Sequence, residues 1–288
     1  MRSVISLWLA LALPQLAWSQ KLALPDKPDS LHFAVIGDTG TGTKSQYEVG
    51  RTLLQFRAKF PFQFVLMLGD NIYGNEEAKD FEKKFELPYK TLLDAGVKFY
   101  ATLGNHDDPN QRFYKLFNMT GERFYSFRPK AGVRFFALDS NYMDKAQLEW
   151  LNKELGSSGS EWKICFFHHP LYSSGEKHGP AVELRKILEP IFLQHDVSVV
   201  FAGHEHFYER LKPQKGIYHF TEGGSAKLRE GNLAKTDLTA KGFDQDNSFM
   251  LVEIAGDQLY FQTISRPGQT VDSGVIERPK GKPEPRSP

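Results

Sequence analysis

The chain has 288 residues, of which 40% are hydrophobic and 25% are charged, as in an ordinary globular protein with a full apolar core. Its 36 basic and 35 acidic residues give a formal net charge of +1, and this balance argues against nucleic acid or an anionic membrane as a partner. A single cysteine, Cys165, excludes an internal disulfide framework. Because Cys165 lies in an apolar run, we expect a buried and unreactive thiol.

The N-terminus has the pattern of a secretion signal. Arg2 gives a short positive start, residues 4–13 form an apolar stretch too short to span a bilayer comfortably, and Ala17 and Ser19 are small residues at the positions that a signal peptidase recognises. We therefore expect a signal peptide at residues 1–19 and a soluble mature protein that is secreted or periplasmic. An uncleaved N-terminal anchor is the alternative, and in both cases the body of the protein lies outside the cytoplasm.

Strand-like apolar runs alternate with helical patterns along the rest of the chain. The predicted strands cover residues 31–37, 62–69, 98–104, 134–139, 163–168, 197–203 and 216–223, and a hairpin covers 249–255 and 258–264. The predicted helices lie near residues 44–59, 76–94, 110–117, 143–155 and 180–194.

This order predicts sheets that are buried under helices. The apolar runs are continuous rather than alternating, which is typical of strands covered on both faces. The final strands have no helices between them, so one sheet is expected to carry an antiparallel portion. We expect one domain over residues 28–277 and a disordered, Pro-rich charged tail over 278–288.

Five of the predicted strands end in polar residues of the same chemical kind. These are Asp38 in GDTG, Asp70 and Tyr73 in GDNIY, Asn105, His106 and Asp107 in GNHD, His168 and His169 in FFHHP, and His204 and His206 in GHEH. In open α/β sheets ligands bind beyond the carboxyl ends of the strands, so we expect these side chains to converge.

Carboxylate and imidazole ligands suit zinc, iron and manganese, and no thiolate set is present. The candidates exceed the three protein ligands of a single catalytic zinc, and they predict two ions that share a carboxylate. Paired ions stabilise both the attacking and the leaving oxygen in hydrolysis at phosphorus. Each motif alone has a simpler interpretation, such as a turn for Asp38 or a hydrogen-bonded core histidine, but five in this order favour a metal site.

The series GD, GDxxY, GNHD, a strand ending in His, and GHxH resembles the calcineurin-like metallophosphoesterase superfamily. The tyrosine of GDNIY is similar to that of the purple acid phosphatases, and the compact length resembles their small, tartrate-resistant type. The resemblance runs from about residue 31 to about residue 210 and more weakly beyond. It implies an α/β (α+β) fold, a four-layer sandwich of two mixed β-sheets flanked by helices.

The resemblance also implies two metal ions, Fe(III) plus Fe(II), Zn(II) or Mn(II). Matched motif by motif, the ligands of the ferric ion would be Asp38, Asp70, Tyr73 and His206, and the second ion would be held by Asn105, His168 and His204, with Asp70 as the bridge. His106 would contact the phosphate and protonate the leaving group. His178, in KHGP, matches a histidine of the family's substrate pocket.

Four residues in or beside these motifs have a role other than metal binding, or more than one role open to them. The family pattern His-x-Pro matches His168, and strand alternation would turn His169 to the other side, so we expect His169 to be structural. We expect Asp107 to orient its loop. Glu205 either orients a histidine or is exposed. For Tyr73 the alternative to a metal ligand is a phenol that is packed or hydrogen-bonded beneath the site.

The implied activity is that of a secreted acid phosphatase, in which a metal-bound hydroxide attacks a small phosphate monoester. We expect a monomer without the extra N-terminal domain or the dimer disulfide of the plant-type enzymes. One alternative is a metallophosphodiesterase of the same superfamily. Another is a non-enzymatic binding module with a vestigial metal site, against which the complete ligand set argues.

Overall fold

The computed structural model describes residues 21–278. The predicted signal peptide lies outside these residues, as does the predicted tail except for Arg278. The backbone N–H of Arg278 donates to the carbonyl of Asp257 at 2.8 Å, so this residue is held in the fold. Within residues 21–278, no helix has the length and apolar character that a bilayer span requires.

The described residues form thirteen strands and five α-helices. The strands are β1 (Leu31–Ile36), β2 (Phe64–Met67), β3 (Lys98–Ala101), β4 (Tyr125–Lys130), β5 (Val133–Ala137), β6 (Trp162–Phe167), β7 (Val199–Ala202), β8 (Tyr208–Leu211), β9 (Tyr218–Glu222), β10 (Thr239–Phe243), β11 (Ser248–Ala255), β12 (Gln258–Ser265) and β13 (Thr270–Glu277). The helices are α1 (Lys44–Arg57), α2 (Ala78–Phe81), α3 (Lys90–Asp94), α4 (Lys145–Gly156) and α5 (Val182–Gln194).

The strands form two mixed sheets. A six-stranded sheet has the order β13-β12-β11-β1-β2-β3, and a seven-stranded sheet has the order β10-β8-β9-β7-β6-β5-β4. Parallel pairs occupy the middle of the seven-stranded sheet and one side of the six-stranded one, and antiparallel pairs complete both. The antiparallel portion that was predicted for one sheet therefore occurs in both.

All nine predicted strands are present, but β4, β8, β10 and β13 were not predicted. Three of these lie at sheet edges, and the fourth, β8, pairs with the edge strand β10. Edge strands have one unpaired side and tolerate polar residues, as in YSFRPK and TVDSGVIE, so they lack the continuous apolar run that marks a central strand.

The prediction of one helix over residues 76–94 is wrong. A capping box between Glu77 and Asp80 begins α2, a π-turn covers Glu82–Glu86, and α3 begins only at Lys90. Pro88 lies between them, has no N–H to donate and clashes with the preceding turn, which explains the break. The helix predicted near 110–117 is a pair of 3₁₀ turns, Pro109–Phe113 and Lys115–Phe117.

The two sheets pack face to face through aromatic rings. Phe33 of β1 and Phe64 of β2 contact the ring of Phe135 of β5 edge-on, at centroid distances of 5.2 and 5.5 Å. The next residue, Phe136, points to the opposite face, where it joins the side chains of α4 and α5 and Cys165. On the far side of the other sheet, Phe56 of α1 packs on Phe249. The four-layer sandwich predicted from the resemblance is confirmed.

This architecture brings the carboxyl ends of the parallel strands of both sheets to one edge. The link between the sheets there is direct, because Nδ1 of His168, after β6, lies 2.9 Å from the carbonyl oxygen of Leu68, after β2. The polar residues that follow the strands are therefore collected in one place.

Glu222, the last residue of β9, is a buried carboxyl near this edge. It accepts a hydrogen bond from the Ser248 hydroxyl at 2.9 Å, and burial raises the pKa of Glu222 from 4.5 to about 8. The pKa of Glu222 is thus higher in the folded chain than in the unfolded chain. Its contribution to the free energy of unfolding is therefore fully present below about pH 4.5 and is lost as the pH rises toward 8.

We predict that Glu222→Gln, which cannot ionise, gains stability relative to the native chain between about pH 5 and pH 8, by about 3 kcal/mol over that interval. Denaturant unfolding at a series of pH values measures the difference. Glu122→Gln, at an exposed glutamate, is the control and should show no such trend. A difference for Glu222→Gln that stays constant with pH would contradict the prediction.

Candidate metal centre

Three of the predicted ligands have an unusual backbone conformation. Asp38, Asp70 and His204 adopt φ values of 54°, 50° and 69°, in the left-handed region that residues with a Cβ seldom occupy. Such conformations cost about 1–3 kcal/mol each and collect at functional sites. Each strand is thus ended by a sharp turn at the residue whose side chain enters the site.

Glycines in the motifs allow the turns to approach one another. A Cβ at Gly104 of GNHD would lie 2.2 Å from Oδ1 of Asp70, and one at Gly203 of GHEH would lie 2.7 Å from Oδ2 of Asp38. These positions therefore need glycine because a neighbouring carboxylate occupies the space of a side chain.

The first ligand group lies around Asp38. Ligand atoms of Asp38, Asp70 and His206 all lie within 4.8 Å of one another, and Nε2 of His206 is 3.4 Å from Oδ1 of Asp38. The Tyr73 hydroxyl donates to the same Oδ1 at 3.0 Å. All four residues predicted for one ion are therefore together.

The second ligand group lies around Nε2 of His168. This atom is 3.0 Å from Oδ1 of Asn105, 3.1 Å from Nδ1 of His204 and 3.5 Å from Oδ1 of Asp70. The Leu68 carbonyl can only accept a hydrogen bond, so Nδ1 of His168 carries the proton and Nε2 is free to bind a metal. Asp70 lies next to both groups, as a bridging carboxylate must.

The electrostatics of the centre fit cations. Burial and the neighbouring Asp70 raise the pKa of Asp38 well above its usual range. Burial lowers the pKa of His204 to about 2 and that of His206 to about 3, so these imidazoles are neutral, as metal ligands must be. Burial and the carboxylates of Asp38 and Asp70 raise the pKa of Tyr73, so without a cation the phenol stays protonated. This set of oxygen and nitrogen donors suits two ions of the zinc, iron and manganese class.

The two predicted catalytic histidines lie at the exposed border of the centre. The ring of His106 is 5.0 Å from that of Tyr73, and its backbone N–H donates to Oδ1 of Asp70 at 3.0 Å. The ring of His178 is 4.3 Å from that of His204. Both residues are exposed, so their rings are open to a substrate that approaches the centre.

His169 does not turn away from the centre. Its ligand atom lies within 4.8 Å of those of His168 and His204, while its Nδ1 lies 2.9 Å from the Ser140 hydroxyl. The argument from strand alternation fails because β6 ends at Phe167, before the two histidines. His169 is thus a further candidate ligand, and the purely structural role expected for it is wrong.

Asp107 and Glu205 hold loops in place by accepting hydrogen bonds from backbone N–H groups. Asp107 accepts from the N–H groups of Gly104 at 2.7 Å and Ile72 at 3.1 Å, which orients the GNHD loop as expected. Glu205 is completely buried, so the exposed alternative is wrong. It accepts from the N–H of Gly179 at 2.6 Å and therefore holds the backbone beside His178 rather than an imidazole of the ligand groups.

An open cavity of about 470 Å³ adjoins the second ligand group. Its lining includes Asn105, His169, Ser140, Tyr142 and Leu184. Tyr142 is 60% exposed, which leaves an aromatic surface at the cavity. The space is sufficient for the organic part of a small phosphate ester.

Two basic residues near the centre, Lys227 and Arg229, were not found from the sequence. Their N–H groups donate to the carbonyl of Asp38 at 3.3 Å and to that of His206 at 3.0 Å. They lie far along the chain from any motif, and the local sequence carries no signal for their position beyond the Gly-Gly turn that precedes them.

Comparisons with known proteins agree with this geometry. The family model described as calcineurin-like phosphoesterase matches residues 31–208. Purple acid phosphatase 17 of Arabidopsis thaliana is 27% identical over 259 residues, which cover 77% of this chain and 76% of that protein. Tartrate-resistant acid phosphatase type 5 of Sus scrofa is 24% identical over 298 residues, which cover 86% of this chain and 87% of that protein.

Solved structures share the fold. GAP50, the anchor in the inner membrane complex of Plasmodium, has a TM-score of 0.79 at 19% identity, with 88% of this chain and 90% of that chain covered. Purple acid phosphatase PPD1 from yellow lupin seeds has a TM-score of 0.72 at 20% identity, with 88% of this chain and 55% of that chain covered. The motifs, the two-group metal centre and the family match together lead to one conclusion: the chain belongs to the calcineurin-like phosphoesterase family, and its relatives there include the purple and tartrate-resistant acid phosphatases.

Proposed function

We propose that the protein is an acid phosphatase that hydrolyses small phosphate monoesters at a centre of two metal ions. The proposal depends above all on the Asp70 carboxylate, which belongs to one ligand group with Asp38 and His206 and lies 3.5 Å from His168 of the other. A carboxylate in this position can bridge two cations. The names of the relatives support the monoester substrate.

Different residues of the chain are assigned to metal binding, proton donation and contact with the phosphoryl group. When bound, the two ions supply an activated water and neutralise the charge that develops on the phosphoryl oxygens. We assign His106 as the proton donor to the leaving-group oxygen and His178 as a contact of the phosphoryl group. We assign the ferric ion to Asp38, Asp70, Tyr73 and His206, and the second ion, Fe(II), Zn(II) or Mn(II), to Asp70, Asn105, His168 and His204.

The ferric assignment is supported by Tyr73. Its hydroxyl lies 3.0 Å from Oδ1 of Asp38 and so faces the first ligand group. A phenol with a pKa of about 10 becomes a phenolate near neutral pH only beside a strong Lewis acid, and Fe(III) is a stronger one than Zn(II). We also propose that the protein is a secreted or periplasmic monomer, on the strength of the N-terminal pattern and the lone cysteine.

The proposed monoesterase activity is tested by comparing a phosphate monoester with a diester as substrates of the protein loaded with iron and zinc. We predict that p-nitrophenyl phosphate is hydrolysed with a kcat/KM at least about tenfold above that for bis(p-nitrophenyl) phosphate, because the site is proposed to take a terminal phosphoryl group. Chelation should abolish both activities. A preference for the diester would favour the phosphodiesterase alternative, and no hydrolysis of either ester would refute the proposed function.

Two variants should separate metal binding from proton transfer. Asp70→Asn is expected to lose bound metal and activity together, because the bridging charge is removed. His106→Asn is expected to keep both ions while kcat falls by about 10²–10⁴, the usual contribution of a general acid. Metal analysis measures the bound ions and kinetics measure kcat for each variant. His195→Asn, just past the end of α5, is the control. Loss of metal from His106→Asn would contradict its role.

Tyr73 gives a visible signature. We predict that the iron-loaded protein is purple through charge transfer from phenolate to Fe(III), and that Tyr73→Phe loses the visible band. Absorption spectroscopy with metal analysis tests this, and Tyr142→Phe, at the exposed tyrosine beside the cavity, should keep the colour. If the native protein is colourless, or Tyr73→Phe stays purple, the ferric assignment is wrong and the two-metal phosphoesterase can still stand.

A further inference from the structure

Tyr73 is held in place through both its backbone and its hydroxyl group. Its N–H donates to the carbonyl of Gly40 at 2.8 Å, and its own carbonyl accepts from Nζ of the buried Lys84 at 2.7 Å. Its hydroxyl donates to Oδ1 of Asp38 at 3.0 Å. The ring therefore has a defined orientation, with its oxygen directed at the first ligand group.

The side chain of Lys227 lies over one face of this ring. Its Nζ is 4.3 Å from the ring centroid, within the range of a cation–π contact. At this distance the positive charge of the ammonium acts directly on the electrons of the phenol.

The position of Lys227 is fixed by the segment that follows β9. Its N–H donates to the Asp38 carbonyl at 3.3 Å, and its carbonyl accepts from Nδ2 of Asn247 at 3.2 Å. Asn247 is buried and also donates to the carbonyl of Gly224 at 2.8 Å. The backbone of Lys227 is thus held on both sides, and its partly buried side chain has few other positions available.

The ammonium of Lys227 has no ion-pair partner within residues 21–278, since no carboxylate oxygen there lies within 4.0 Å of its Nζ. Its charge also reaches the neighbouring ligand, because burial and the charges of Arg229 and Lys227 lower the pKa of His206 to about 3. A positive charge that no carboxylate offsets therefore stands beside the phenol of the first ligand group.

We propose that Lys227 tunes Tyr73 as a metal ligand, because its charge stabilises the phenolate and weakens the donation of electrons from the phenolate to the ion. The proposal rests on the proposed ferric ion at Tyr73. A cation over the ring lowers the energy of the phenolate electrons, so it raises the energy of the transition from phenolate to iron. It also favours Fe(II) over Fe(III), because the reduced ion carries one positive charge less.

Lys227→Met tests both effects, because methionine keeps much of the side chain and removes the charge. In the protein loaded with iron and zinc, we expect the visible band to move to longer wavelength. In a titration with dithionite, each Fe(III) takes one electron from the reductant and becomes Fe(II). We expect the ratio of Fe(II) to Fe(III) at a fixed solution potential to fall about tenfold in the variant, which is a shift of about 59 mV for a one-electron couple.

Two further variants separate the effect of charge from that of packing. Lys227→Arg keeps a cation over the ring and should keep the band and the potential close to those of the native protein. Lys153→Met, at an exposed lysine of α4, should change neither. Circular dichroism and metal analysis check the fold and the bound iron, and Lys227→Gln replaces Lys227→Met if that variant misfolds or loses iron.

An unchanged band or an unchanged potential in the folded, iron-loaded neutral variant would overturn the proposal, as would equal shifts in Lys227→Arg. Loss of iron from both neutral variants would also overturn it, because Lys227 would then be needed for metal retention. If calorimetry showed weaker phosphate binding while the band and potential stayed unchanged, the ammonium would act on the substrate instead.

The same preparations keep this proposal separate from the proposed function. A colourless native protein that hydrolyses p-nitrophenyl phosphate would overturn the role of Lys227, because Tyr73 would not be a phenolate ligand, and would leave the phosphatase intact. A coloured protein without hydrolysis would refute the phosphatase, and the band and the potential would still decide the role of Lys227.

Discussion

The constraint on which the structure depends is the burial of two neighbouring carboxylates, Asp38 and Asp70, without a lysine or arginine partner. Among the described residues no such side chain lies within 4.0 Å of either carboxylate, and histidines are their nearest basic groups. In a site of low dielectric constant this arrangement is unfavourable until cations enter it. Metal binding and the stability of this edge of the fold are therefore linked, since ions that bind only the folded chain stabilise it.

The fold supplies what this constraint requires. Parallel strands of two facing sheets end at one edge, and sharp left-handed turns at three ligand residues bring their side chains into a shared space. Glycines at the turns admit carboxylates at distances that a Cβ would forbid. The backbone strain is maintained by the surrounding structure, for example by the hydrogen bonds of Asp107, which tie the third motif to the second.

Much of this could be predicted from the sequence because ligands and strands share the same local signal. A continuous apolar run followed by glycine and a polar residue indicates both a buried strand and the side chain at its end, so Asp38, Asp70 and His204 were found together with their strands. The edge strands gave no such signal. Nor did Glu205, Lys227 and Arg229, whose roles come from contacts between segments that are distant along the chain. Strand alternation does not predict the direction of the His169 side chain, because this residue lies beyond the end of β6.

The two halves of the centre differ in charge, and this difference bears on which ion each would hold. The first group combines two carboxylates with a phenol that can become a phenolate, whereas the second shares one carboxylate and otherwise offers the neutral donors Asn105, His168 and His204. Charge neutrality thus agrees with the proposed trivalent ion in the first group and the proposed divalent ion in the second. The cations Lys227 and Arg229 stand on the side of the more anionic group, where their positive charge would attract an incoming phosphate.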